Sequence, residues 1–65
     1  MQITLNGEAR DLDQVCTLVQ LIDKLALTGK LAIEINNEVI PRSSFQNVKI
    51  KAGDRIEVVR AVGGG

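Results

Sequence analysis

The chain opens on a stretch that predicts a β-hairpin, MQITLNGEARDL at residues 1–12. Apolar and polar residues alternate over the first five positions, which is the two-residue period of a half-buried strand. Asn6-Gly7 follows, and both residue types tolerate the positive φ angles that a type I′ turn requires. The chain then returns through a second, weaker strand at 8–12.

The pattern changes to a helical one after this hairpin. Thr17 and Gln20 have the spacing of a capping box, in which each side chain accepts a hydrogen bond from the other residue's backbone N–H. We expect one amphipathic helix of about three turns, with Gly29 as its C-cap. Its apolar face consists of residues at helical spacing: Leu18, Leu21, Ile22 and Leu25.

The second half of the chain predicts three more strands, at 31–35, at 39–40 and at 55–62. Asn36-Asn37 predicts the turn between the first two, because Asn enters the left-handed region more easily than most residues. Residues 43–45 predict a capped helical turn with Phe45 as its apolar anchor. Val48 and Ile50 suggest a short extended segment before the last strand.

This order of elements predicts an α+β fold of the β-grasp type. One main helix packs across one face of a mixed sheet of four to five strands, and the first and last strands lie adjacent and parallel at the centre. We expect a single domain at 1–62, followed by a flexible glycine tail at 63–65. The chain is 65 residues long, which leaves room for one core only.

Composition excludes several classes of function. The sequence has no His and one Cys, so we expect no catalytic residues, no bound cofactor and no metal site. Eight basic residues balance eight acidic ones, which argues against nucleic acid or a membrane as a partner. The single Cys and the absence of a signal-peptide pattern predict a cytoplasmic protein.

Cys16 could be interpreted as a sulfur-handling residue. It precedes the predicted cap Thr17, where it and Leu21 occupy the two positions of a hydrophobic staple. Only the helix N-terminus would lower the pKa of this thiol, and that effect is modest. We therefore interpret Cys16 as a small apolar group.

The glycine tail, Gly63 to Gly65, suggests a function for the end of the chain. Glycine has no Cβ and loses the most entropy on ordering, so three in a row do not form a packed terminus. Such a tail can enter a narrow tunnel in another protein and present an unshielded carboxylate there. The simpler alternative is a frayed terminus without a role.

Three segments resemble the sulfur-carrier proteins of thiamine biosynthesis, the ThiS family. They are NNEVIPR at 36–42, KAGDRIE at 51–57 and VRAVGGG at 59–65. The Gly-Asp turn, the strand after it and the terminal Gly-Gly are the specific part of the resemblance. The family needs only the final glycine pair, so Gly63 is an addition.

The resemblance implies a carrier that is not itself an enzyme. A ubiquitin-activating-type adenylating enzyme would use ATP to adenylate Gly65, with Gly63 and Gly64 recognised as the tail. Persulfide sulfur from a cysteine desulfurase or another donor would then form a thiocarboxylate on Gly65. Thiazole synthase would take this sulfur for the thiazole ring of thiamine.

Two other functions stay open at this point, a sulfur carrier for molybdopterin synthesis and a regulatory or RNA-binding β-grasp module. A ubiquitin-like role in protein modification is a further possibility, since glycyl activation serves both fates. The docking surface for partners is predicted at Val59 and Ala61, which should point away from the core.

Overall fold

The computed structural model describes residues 1–13 and 17–60, and these form five strands and two helices. In chain order the elements are β1 (Gln2–Leu5), β2 (Glu8–Asp11), the α-helix α1 (Leu18–Lys24), β3 (Leu31–Ile35), β4 (Glu38–Ile40), a 3₁₀ helix (Arg42–Asn47) and β5 (Arg55–Arg60).

The five strands form one sheet in the order β2-β1-β5-β3-β4. β1 pairs with β5 in parallel, and the other pairs of neighbours are antiparallel. The parallel pair requires a long crossover, which contains α1. The predicted architecture is therefore confirmed, with the first strand beside β5 in the middle of a mixed sheet.

Both turns that the Asn residues predicted are present. Asn6 and Gly7 have φ angles of 50° and 82°, and Asn36 and Asn37 have φ angles of 52° and 69°. Two positive φ angles in succession are the property of a type I′ turn, whose twist matches that of the flanking strands. These turns set the register of the β1–β2 and β3–β4 pairs.

The core lies between α1 and one face of the sheet. Leu18 and Leu21 of the helix are 0% and 1% exposed, and Ile33 and Ile56 at the centre of the sheet are both 0% exposed. Alternation along each strand places these residues on one face and leaves the opposite face open to solvent. The remaining buried apolar residues are Ile3, Leu5, Ile35, Phe45 and Ile50.

The capping box at the start of α1 is confirmed. The Gln20 backbone N–H donates to Thr17 Oγ1 at 3.2 Å, and the Thr17 backbone N–H donates to Gln20 Oε1 at 3.0 Å. Two backbone N–H groups at this end of the helix therefore have partners.

We expect Thr17→Ala to destabilise the domain by about 1 kcal/mol, because it removes the acceptor for the Gln20 N–H. In a small domain this lowers Tm by about 4–8 °C. Thermal unfolding followed by circular dichroism measures the change, with Thr17→Ser as a control that keeps the acceptor. An unchanged Tm for Thr17→Ala would contradict the role of this cap.

The end of α1 was predicted incorrectly. The helix stops at Lys24 after seven residues, and Gly29 is not its C-cap. Ala26, with a φ of 55°, takes the left-handed position after the helix. Its N–H donates to the Asp23 carbonyl at 3.0 Å, and the next N–H along the chain donates to the Ile22 carbonyl at 3.1 Å. These are the two hydrogen bonds of a Schellman motif, which usually has Gly where this chain has Ala.

The segment between β4 and β5 also differs from the prediction in part. Phe45 is 8% exposed and anchors the helical turn as expected. However, Pro41 occupies the N-cap position, and no side chain caps this turn. The extended segment near Val48 contributes only one isolated bridge, between Lys49 and Thr17.

Candidate functional site

The strand that leads towards the glycine tail, β5, is held at the centre of the sheet. β3 pairs with it from Leu31 opposite Arg60 to Ile35 opposite Ile56. On its other side β1 pairs with it, with Leu5 beside Ile56. β5 therefore has a strand on both sides over its first two residues, and β3 alone pairs with it as far as Arg60.

A buried carboxylate fixes the start of β5. Asp54, 9% exposed, accepts a hydrogen bond from Asn36 Nδ2 at 3.1 Å and one from the Lys51 backbone N–H at 2.8 Å. The Arg55 backbone N–H in turn donates to Asn36 Oδ1 at 2.9 Å. The turn that precedes β5 and the turn between β3 and β4 are therefore joined through side chains.

A second asparagine holds β5 nearer its end. The Val58 backbone N–H donates to Asn6 Oδ1 at 2.8 Å. Asn6 belongs to the β1–β2 turn, 52 residues earlier in the chain. From the sequence, Asn6 and Asn36 were predicted only as turn residues, because nothing local to either residue indicates so distant a partner.

We expect Asp54→Ala to destabilise the domain by about 1–3 kcal/mol, because the Lys51 backbone N–H and the Asn36 amide lose their part-buried acceptor. This lowers Tm by about 4–8 °C for each kcal/mol. The matched control is Asp23→Ala, since Asp23 is exposed and its side chain has no hydrogen-bond partner among the described residues. Equal Tm values for the two variants would contradict the role of Asp54.

The open face of the sheet carries the exposed apolar residues nearest the end of β5. Val59 is 62% exposed and lies opposite Ala32 of β3. Val39 of β4, 68% exposed, is on the same face. Between these two valines, Glu34 and Glu57 lie directly opposite each other on β3 and β5. Like charges in this arrangement repel.

Near Val59 this open face is apolar and acidic, and Arg55 lies two residues before Glu57 on the same face. Within residues 1–13 and 17–60 no cation lies within ion-pair distance of Glu34 or Glu57. A partner surface that is apolar and carries a basic group therefore complements it.

The structure covers only some of the residues that the sequence singled out. Val59 lies on the face away from the helix, as expected. Ala61, Cys16 and the glycine tail fall outside the described residues. The roles of Gly65 in modification, of Gly63 and Gly64 in tail recognition, and of Val59 and Ala61 in docking therefore stay predictions.

Neither a metal-binding cluster nor a membrane-spanning helix is found in the described part of the chain. Residues 1–13 and 17–60 contain no group of three or more His, Cys, Asp or Glu that could hold a metal ion. None of the helices described is long and apolar enough to cross a membrane.

Comparison with known families decides what kind of protein carries this site. The ThiS family model matches residues 3–65, which is nearly the whole chain. The chain belongs to the ThiS family. It has the β-grasp arrangement of one α-helix across a mixed five-stranded sheet.

A solved structure agrees with this ThiS assignment. The thiamine biosynthesis protein (ThiS) of Geobacter metallireducens superposes with a TM-score of 0.87 at 29% identity, and the match covers 100% of both chains. Its solution structure superposes with a TM-score of 0.83.

Curated relatives include longer proteins. The thiazole synthase of Paramagnetospirillum magneticum is 36% identical over 66 residues, which are 100% of this chain and 20% of that protein. The chain therefore spans about a fifth of the length of this relative. The uncharacterized protein ycf40 of Porphyra purpurea is 32% identical, with 93% of its length covered.

Proposed function

We propose that this ThiS protein carries sulfur as a thiocarboxylate on Gly65 and donates it for thiazole synthesis. In this proposal Gly65 is the C-terminal residue of the working protein. The proposal rests on the family match, which runs through the end of β5 and includes all three glycines.

The proposed chemistry begins with a carboxylate, which is a poor electrophile because it is ionised at neutral pH. A Gly65 carboxylate oxygen attacks the α-phosphorus of ATP, and pyrophosphate leaves. A persulfide sulfur then attacks the carbonyl carbon and expels AMP. Cleavage of the sulfur–sulfur bond by a second thiol leaves the thiocarboxylate on Gly65.

This ThiS chain supplies the carboxylate that is modified and the tail that delivers it, rather than the catalysis. The sequence has no His, and we propose that the partner enzyme binds the ATP. Five residues follow Arg60, and a fully extended chain of that length covers at most about 18 Å. The absence of a Cβ at Gly64 and Gly65 leaves the carbonyl carbon open to a nucleophile.

Three partners follow from this chemistry: an adenylating enzyme of the ubiquitin-activating type, a cysteine desulfurase or another persulfide donor, and thiazole synthase. The relatives named thiazole synthase support the last of these. A segment like this chain makes up 20% of such a protein, as expected if carrier and synthase work side by side. We place the reaction in the cytoplasm.

The test is the intact mass of the chain after incubation with ATP, the adenylating enzyme and a sulfur source. We expect a mass increase that corresponds to replacement of one oxygen by sulfur, located in the C-terminal peptide by fragmentation. Omission of ATP is the control. No mass increase, or isopeptide conjugates of Gly65 on lysines in place of the thiocarboxylate, would contradict the proposal.

A further inference from the structure

An open groove of about 390 Å³ lies on the helix side of the sheet, at the end where β5 stops. The chain that follows α1 lines part of this groove through Leu25 and Leu27. The helix ends at Lys24, and Ala26 takes a positive φ between these two leucines. The groove has an apolar floor of five residues, of which four are only half-buried and Leu5 is buried. The floor consists of Leu5, Leu25, Leu27, Leu31 and Val58.

Two arginines line this groove. Arg10 of β2 pairs with Ile3, and Arg60 of β5 pairs with Leu31, so both arginines lie on the helix side of the sheet. β2 and β5 are separated by β1 alone, which puts the two strands about 10 Å apart. The register sets Arg10 level with Ile3 and therefore with Asp54, six residues before Arg60 in the chain. The two arginines therefore stand at opposite ends of the groove. We call this feature the Arg10–Arg60 groove.

Within the described part of the chain, both guanidinium groups are available to an anionic group of a ligand. Arg10 and Arg60 are exposed, and neither lies within ion-pair distance of a carboxylate in residues 1–13 and 17–60. The sequence outside those ranges contains no Asp or Glu. Arginine binds carboxylates through two parallel hydrogen bonds, so the ligand that fits has an apolar body and a carboxylate.

We propose that the Arg10–Arg60 groove binds a segment of the adenylating enzyme that presents an aliphatic or aromatic side chain beside a carboxylate. The identity of this partner rests on the proposed function. The groove volume is at the lower end of the range for small-ligand sites, about 300–1,000 Å³, which suits one or two side chains.

The position of the groove favours the enzyme that receives the tail. Val59 and Arg60 are consecutive and point to opposite faces of the sheet. An enzyme that encloses the chain beyond Arg60 therefore meets both faces at this end. The open face offers it Val59, and the helix side offers it the groove.

The first experiment measures the Kd for the adenylating enzyme by calorimetry. The test variant is Arg10→Glu combined with Arg60→Glu, and the matched control is Lys49→Glu combined with Lys51→Glu. The control has the same change in charge but lies before β5, at the opposite end of that strand. We expect binding at least about tenfold weaker for the test variant and nearly unchanged for the control.

Equal Kd values for the two double variants would overturn the proposal. Circular dichroism establishes that each variant is folded. If the glutamate variant unfolds, Arg10→Gln combined with Arg60→Gln replaces it, and the same loss of affinity is expected.

The second experiment needs no enzyme, so it separates this proposal from the proposed function. Octanoate, an apolar chain with a carboxylate, is titrated into the ¹⁵N-labelled protein. We expect saturable shifts of the Leu5, Leu27 and Val58 amides that are lost in the arginine variant. Acetate lacks the apolar chain and should give no such shifts.

The outcomes of the two tests are distinct. Octanoate shifts that are absent or confined to the open face would overturn the groove proposal, even if the wild-type chain acquires sulfur. Octanoate binding in the groove of a chain that acquires no sulfur would support the groove and contradict the carrier function.

Discussion

Gly64→Val is expected to abolish the ATP-dependent acquisition of sulfur while the domain stays folded. Valine adds a branched side chain next to the reacting carbonyl, inside a tunnel that must admit the tail. A misplacement of about 1 Å from the productive geometry can reduce a rate about a hundredfold. The described core extends from Ile3 to Ile56, so we expect an unchanged Tm.

The measurement is the rate of the mass increase from oxygen to sulfur, with Gly64→Ala as a graded variant. Alanine adds one methyl group and should reduce the rate less than valine does. Sulfur acquisition by Gly64→Val at the wild-type rate would exclude a narrow tunnel around this position.

One extra residue after Gly65 tests the position of the carboxylate rather than the size of the tail. It moves the carboxylate by about 3.5 Å, and we expect the same loss of sulfur acquisition. Deletion of Gly65 is a weaker test, because the shortened chain still ends in Gly63-Gly64. If the lengthened chain still acquires sulfur at the wild-type rate, Gly65 is not the acceptor.

Much of the fold could be predicted from the sequence, because the deciding signals are local. The two turns are specified by the positive φ angles of Asn6-Gly7 and Asn36-Asn37. The helix start is specified by the mutual hydrogen bonds of Thr17 and Gln20. Each signal acts over four residues or fewer. The parallel pairing of β1 with β5 then follows from the order of the elements.

The end of α1 could not be predicted in the same way. Gly29 is the first glycine after the apolar face, and glycine is the usual residue after a helix. Here Leu25 packs against the core directly after the helix, and Ala26 takes the left-handed conformation at a cost of about 1–2 kcal/mol. Tertiary contacts outweigh a local preference of that size.

This early helix end also explains why the sequence did not reveal the Arg10–Arg60 groove. A helix that continued to Gly29 would be expected to cover part of the apolar floor. Arg10 and Arg60 are 50 positions apart, and only the sheet register brings them to one face. Their relation therefore depends on the fold and not on any local spacing.

The open face of the sheet can be tested as a docking surface through Val59. We expect Val59→Asp to weaken binding to the adenylating enzyme and to thiazole synthase by at least about tenfold, because a charge replaces an apolar contact near the centre of the interface. Val59 is 62% exposed, so the domain should stay folded. Calorimetry with each enzyme gives the Kd.

The matched control is Val19→Asp, since Val19 of α1 is 43% exposed and lies on the opposite side of the molecule from the open face. We expect nearly wild-type affinity for this control.

Val59→Lys distinguishes the loss of an apolar contact from an effect of charge. Glu34 and Glu57 would repel an aspartate at position 59 but attract a lysine there. If the partner contact at Val59 is apolar, both variants bind weakly. Wild-type affinity of Val59→Asp would show that the partners dock elsewhere, and an unfolded Val59→Asp protein would show that Val59 contributes to the core.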